Sequence, residues 1–163
     1  MTTAEIDVGA PPELTYAVVA DPTTYPAWLV GARHIRHVDP GWPSVGSSFH
    51  HAVGVGPLTV HDRTTVLDRE DGTSLVLQAH VGPLGAATVR FRVTPLGGDQ
   101  SHLAIDEEPA EGPARLLWRT PARPLVAVAL WGRNAASLEA LRDLVEDRHA
   151  ERTTATSEQT GPV

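Results

Sequence analysis

Residues Pro124 to Arg148 read PLVAVALWGRNAASLEALRDLVEDR, and this stretch decides the fold. Ala127, Trp131, Asn134, Leu138, Leu141 and Val145 recur at spacings of four, three, four, three and four. That rhythm puts them on one face of an amphipathic helix. Arg133, Ala136, Ala140, Arg142, Asp143, Glu146 and Asp147 fall mostly on the other side. No other segment is both long and periodic enough to cover a sheet. One polar residue, Asn134, interrupts the apolar stripe.

Upstream of this helix the pattern changes to period two. Ile6 and Val8 alternate around Asp7 and predict a short first strand. Ala10-Pro11-Pro12-Glu13 then starts a helix, because proline is tolerated where the first N–H groups lack partners and Glu13 meets the positive end of the dipole. Asp21-Pro22 stops it, and a second short helix is predicted from Thr23 to about Leu29 with Trp28 as its buried anchor. Strands follow at Arg33–Val38, Gly46–Val55, Leu58–Arg69, Thr73–Val81, Ala87–Pro95 and Ser101–Glu108, separated by Gly, Pro and Asp turns. Val-Gly-Pro-Leu occurs at 55–58 and again at 81–84, and shared turn chemistry explains the repeat better than duplication. Glu108 to Arg123, with Leu116, Leu117 and Trp118, reads as a connection containing a helical turn.

Sequential strands joined by tight turns form an antiparallel meander, and its apolar face needs a cover. The predicted class is therefore α+β, a helix-grip fold. A curved antiparallel sheet of about seven strands wraps a long C-terminal helix, with two short helices after the first strand. Residues 1–149 form one domain, and the polar tail 150–163 is expected to be disordered.

Composition narrows the functions. The chain has 163 residues, 41% hydrophobic and 20% charged, with 20 acidic and 13 basic residues and a net charge of −7. A net negative domain with no Lys/Arg cluster is a poor partner for nucleic acid or for an anionic membrane surface. Cysteine is absent, which removes disulfides, thiol nucleophiles and thiolate metal sites. MTTAEIDVGAPPE has neither a basic nor an apolar signal region, and no apolar run approaches membrane-spanning length. The expected location is the cytoplasm, without membrane insertion; a homodimer is left open.

Ile6-Asp7-Val8, Pro12-Glu13, Asp21-Pro22 and Tyr25-Pro26-Ala27-Trp28 resemble the opening of polyketide cyclase/dehydrase-like proteins, within the START/Bet v 1-like (SRPBCC) superfamily. Arg133-Asn134-Ala135-Ala136-Ser137-Leu138-Glu139-Ala140-Leu141 resembles that family's closing helix. The likeness runs over residues 4 to 148. It implies a deep cavity between sheet and helix that holds a lipid, a polyketide, a hormone or another hydrophobic molecule. Only some members are enzymes, and no universal catalytic motif carries over.

Strand parity selects the residues that face such a cavity. Phe49 and His51 share a face, as do Leu75 and Leu77, Phe91 and Val93, and Leu103, Ile105 and Glu107. Asp62 travels with Val60 and Val66. With Trp28, Trp131 and Asn134, the predicted ligand-binding set is Trp28, Phe49, His51, Asp62, Leu77, Phe91, Ile105, Glu107, Trp131 and Asn134. His51, Asp62, Glu107 and Asn134 must be hydrogen-bonded, sit in a wet cavity, or lie at strand ends in water. His80, His102, Arg90 and Arg92 are assigned to the outer face. His50 and His51 point to opposite faces, so no metal site is expected, and no cofactor is implied. Two functions follow. One is binding of a hydrophobic small molecule. The other is a cyclase, aromatase or dehydratase using His51, Asp62 or Glu107 as acid or base.

Overall fold

The computed structural model describes residues 1–55, 58–80, 85–121 and 123–159, without the side chains of 53–55, 58–61, 114, 117, 126, 158 and 159. Strand β1 (Thr2–Val8) buries Thr2, Ala4 and Val8 in alternation. Helix α1 (Pro12–Ala20) carries proline and Glu13 in its first turn and buries Leu14, Thr15, Val18 and Val19. It stops at Asp21, whose Oδ1 accepts from the Thr23 backbone N–H at 3.0 Å and from the Thr23 hydroxyl at 2.6 Å. A 3-10 turn (Pro22–Thr24) leads into helix α2 (Tyr25–Trp28). Trp28 is buried there; its indole N–H donates to the Thr24 hydroxyl at 2.9 Å, and its ring stands edge-on to Tyr25 and Phe91.

Strands β2 (Ala32–Val38), β3 (Ser48–Val55), β4 (Leu58–Glu70), β5 (Ser74–His80), β6 (Ala86–Pro95) and β7 (Ser101–Glu111) each pair antiparallel with the next. β1 joins the far side of β7, so the described residues form one seven-stranded sheet in the order β1-β7-β6-β5-β4-β3-β2. Helix α3 (Gly112–Trp118) precedes helix α4 (Arg123–Gln159), which lies along β1 and against α1 and α2. This is the helix-grip arrangement that the element order predicts. Leu138, Leu141 and Val145 of α4 enter the core beside Ala4, Val8, Leu14 and Val18, each contributing about 1.5–3 kcal/mol through burial. Glu146 Oε1 accepts from the Gly9 backbone N–H at 2.7 Å and ties the helix to the end of β1.

Two expectations are corrected. Trp131 keeps the phase of the apolar stripe but is exposed, and the buried part of that stripe begins only at Asn134 and continues through Ser137, Leu138, Leu141 and Val145. The cause is length. At 37 residues α4 is about 55 Å long, whereas the seven-residue β1 spans about 23 Å, so the first turns of the helix extend beyond the sheet. The helix also continues to Gln159 instead of giving way to a disordered tail after His149. Residues 150–157 are exposed, and Thr153, Thr154, Thr156 and Ser157 donate their hydroxyls to carbonyls four residues back. The Val-Gly-Pro-Leu turns fall largely outside the described residues, as does Val81. Among the described residues no helix is long and apolar enough to cross a membrane.

Candidate functional site

Between the concave sheet and α4 lies a cavity of about 100 Å³. That volume holds several waters or a small ring system. Its sheet side is built by inward residues of β3, β5, β6 and β7, among them Phe49, Leu77, Phe91 and Ile105. Its roof is Arg133 and Asn134 of α4. Val30 and Gly31, on the loop from α2 to β2, are its exposed lining residues and mark the open end.

Polar groups converge on this apolar space. Glu107 is buried on β7 and pairs with Arg133 Nη2 at 2.5 Å. The same carboxylate oxygen accepts from Asn134 Nδ2 at 2.8 Å, while Asn134 Oδ1 accepts from Arg133 Nη2 at 3.2 Å. Glu107, Arg133 and Asn134 thus form a closed triangle. Ser137, one turn on, donates to the Arg133 carbonyl and accepts from the Val30 N–H at 3.1 Å, which links the helix to the loop at the open end. The triangle still leaves buried polar capacity: Arg133 Nε and His51 Nδ1 have no hydrogen-bond partner. Burial lowers the pKa of His51 from its ordinary value of 6.5, only partly opposed by Asp62, so the ring is neutral at pH 7. Each such group costs about 1–3 kcal/mol unless a water or ligand supplies the missing bond.

The predicted set divides into three groups. Phe49, His51, Leu77, Phe91, Ile105, Glu107 and Asn134 line the cavity together. Trp28 stands one layer behind, with its edge on Phe91, 6.0 Å between ring centroids. Asp62 sits opposite His51 in the β3–β4 register and lines an outer cleft with Arg36, His50 and Arg63, a cleft that shares His51 and His80 with the cavity. Trp131 is not in the cavity wall. Sequence reasoning missed Arg133, which helical phase placed on the polar side, and His80, assigned to the outer face. His80 ends β5 at the rim, where it borders both the cavity and the outer cleft. Arg133 carried one signal: it is the cation next to the one polar interruption of the stripe. Among the described residues no cluster of three or more His, Cys, Asp or Glu could hold a metal ion.

A curved sheet, a covering helix and an apolar cavity with a polar roof define a helix-grip ligand-binding fold. The chain belongs to the polyketide cyclase/dehydrase and lipid transport family, whose model matches residues 2–146. No curated protein matches it. Among solved structures, the ZhuI aromatase/cyclase from Streptomyces sp. R1128 is 16% identical, with 90% of this chain and 93% of that one covered and a TM-score of 0.68. A START superfamily protein from Mycobacterium smegmatis is 19% identical over 92% and 97%, with a TM-score of 0.60. A conserved protein from Geobacillus kaustophilus is 14% identical over 90% and 95%, with a TM-score of 0.67. At these identities the likeness is one of fold.

Proposed function

We propose that the chain binds a small, largely hydrophobic molecule, lipid or polyketide-like, that carries at least one hydrogen-bonding oxygen. The observation that carries this reading is the pair of partnerless buried nitrogens, His51 Nδ1 and Arg133 Nε, on residues that line a mainly apolar cavity together with the polar side chains of Thr64, His80, Glu107 and Asn134. Apolar walls with a few convergent polar groups are the usual make-up of a small-molecule site. The walls supply affinity and the polar roof supplies orientation. A displacement assay with a fluorescent apolar probe tests it, using pairs of competitors that differ only by a carbonyl or hydroxyl oxygen. The oxygenated member should bind more tightly, by roughly tenfold for one well-made bond to a buried group. Equal affinity within every pair, or no binding by lipids and aromatic ketones alike, sinks the reading.

A second reading, acid–base catalysis in the same cavity, draws on His51. A neutral imidazole whose Nδ1 has no partner is poised to accept a proton from a bound substrate. Replacing His51 by Gln would then abolish turnover of an aromatic polyketide while leaving its affinity within a few-fold. Unchanged turnover eliminates this reading and leaves binding intact.

A further inference from the structure

The outward face of α4 changes character along its length. Leu125 and Val128 lie on it in the first turns, followed on the same side by Glu139, Asp143 and Asp147, while Trp131 is exposed on the flank of the apolar stripe, ahead of its first buried residue, Asn134. Helix α3 packs against the start of α4 and adds Leu116. Leu116, Leu125, Val128 and Trp131 are 54–77% exposed, although each is a large apolar side chain. Four large apolar side chains exposed on two adjoining helices, within one short segment of the chain, point to an interaction surface.

Charge indicates what covers it. The whole chain carries −7, which argued against any anionic partner. Residues 112–138 reverse that balance locally: they hold Arg115, Arg119, Arg123 and Arg133 and no acidic residue, although Glu111 borders them. Arg115, Arg119 and Arg123 are exposed, and Arg123 lies over the Trp118 ring at 5.3 Å. A second copy of the chain fits poorly, because a two-fold contact through this face would set arginines against arginines. Exposed Leu, Val and Trp in the same segment as exposed arginines are the side chains that settle at the boundary between headgroups and acyl chains. The patch also flanks the open end of the cavity, where Val30 is exposed and Arg133 forms the roof.

We infer that α3 and the first turns of α4 dock peripherally on an anionic lipid bilayer, with Leu116, Leu125, Val128 and Trp131 in the interface and Arg115, Arg119 and Arg123 on the headgroup phosphates. Docking this way brings the mouth of the cavity to the bilayer surface. It involves no span, consistent with the helix composition. It does not require the cavity to be filled, so its failure and that of the binding proposal are separable.

The test is co-sedimentation of the full chain, without added ligand, with phosphatidylcholine vesicles and with equimolar phosphatidylcholine and phosphatidylglycerol. The chain should pellet with the mixed vesicles and stay in solution with the neutral ones, and raising the salt should release it. Each arginine near the surface is worth roughly fivefold in affinity, so combined Arg115→Ala, Arg119→Ala and Arg123→Ala should weaken binding roughly a hundredfold. Trp131→Glu should do likewise, while Arg90→Glu, on the outer sheet face, should bind as wild type. All five side chains are exposed, and circular dichroism checks that each variant folds. No pelleting with mixed vesicles, or pelleting that the triple variant retains, overturns the inference. A dimer in light scattering that Trp131→Glu converts to monomer overturns it in favour of self-association.

Discussion

Asn134→Ala isolates the polar roof of the cavity. The substitution removes a buried donor from a charged acceptor, Nδ2 to Glu107 Oε2 at 2.8 Å. A hydrogen bond to a charged group contributes about 1.5–3 kcal/mol, and alanine returns about 0.5 kcal/mol through better helix propensity. The expected loss is therefore about 1–2.5 kcal/mol, or a fall in Tm of roughly 2–10 °C for a chain of this size. Glu107→Gln should cost less, under about 1.5 kcal/mol. Its amide oxygen still accepts from Asn134, and the Arg133 side chain, 36% exposed, can turn its charge to water. The double variant should lose less than the sum by about 1 kcal/mol, because the first substitution has already weakened what the second removes. Urea unfolding of the four proteins, at constant m-value, measures the cycle. Asn134→Ala within about 0.3 kcal/mol of wild type, together with strict additivity, would refute the pairing of Asn134 with Glu107 and with it the polar roof.

Trp28→Ala should cost about 3–5 kcal/mol, since it empties a buried site between Tyr25 and Phe91 and breaks the bond to Thr24; thermal unfolding reads it directly. The lowered pKa of His51 makes stability depend on pH: the unfolded chain takes up this proton near pH 6.5 and the folded chain only at lower pH. Stability from this source is complete above pH 6.5 and is lost as pH falls toward the folded value, so His51→Gln should lose less than wild type between pH 7 and pH 5 in paired denaturant titrations. Deleting the chain after His149 should change unfolding free energy by less than about 0.5 kcal/mol, because residues 150–157 are exposed throughout. The same deletion should reduce the helical circular dichroism signal.

Elements that bury their own pattern were legible from sequence. The span of β6, the Pro-Glu start of α1 and the Asp-Pro stop were read nearly to the residue, β1 starts four residues before the predicted Ile6 and β7 runs three beyond Glu108, and Leu138, Leu141 and Val145 are buried as their spacing requires. Trp131 was misplaced for a reason periodicity cannot contain. Helical phase gives the direction of a side chain, but burial also depends on whether a sheet lies beneath, and β1 is too short to reach it. Asn134 was singled out because it breaks the stripe, and Glu107 because it shares parity with Leu103 and Ile105. Their pairing joins residues on β7 and α4 that only the packing of the helix across the sheet brings together. Arg133 was overlooked because its long side chain bends from the helix flank to Glu107, a reach that phase alone does not register.

The measurement that tests the central claim most directly compares binding of one oxygenated aromatic ligand by the wild-type chain and by Ala79→Phe. Ala79 lines the cavity on β5, and an added phenyl ring would occupy much of its roughly 100 Å³. Titration calorimetry should give one site per chain in the wild type and no measurable heat in Ala79→Phe, with Tm unchanged or raised. Equal binding by both, in a variant that remains folded, would show that the ligand does not enter the space between sheet and helix.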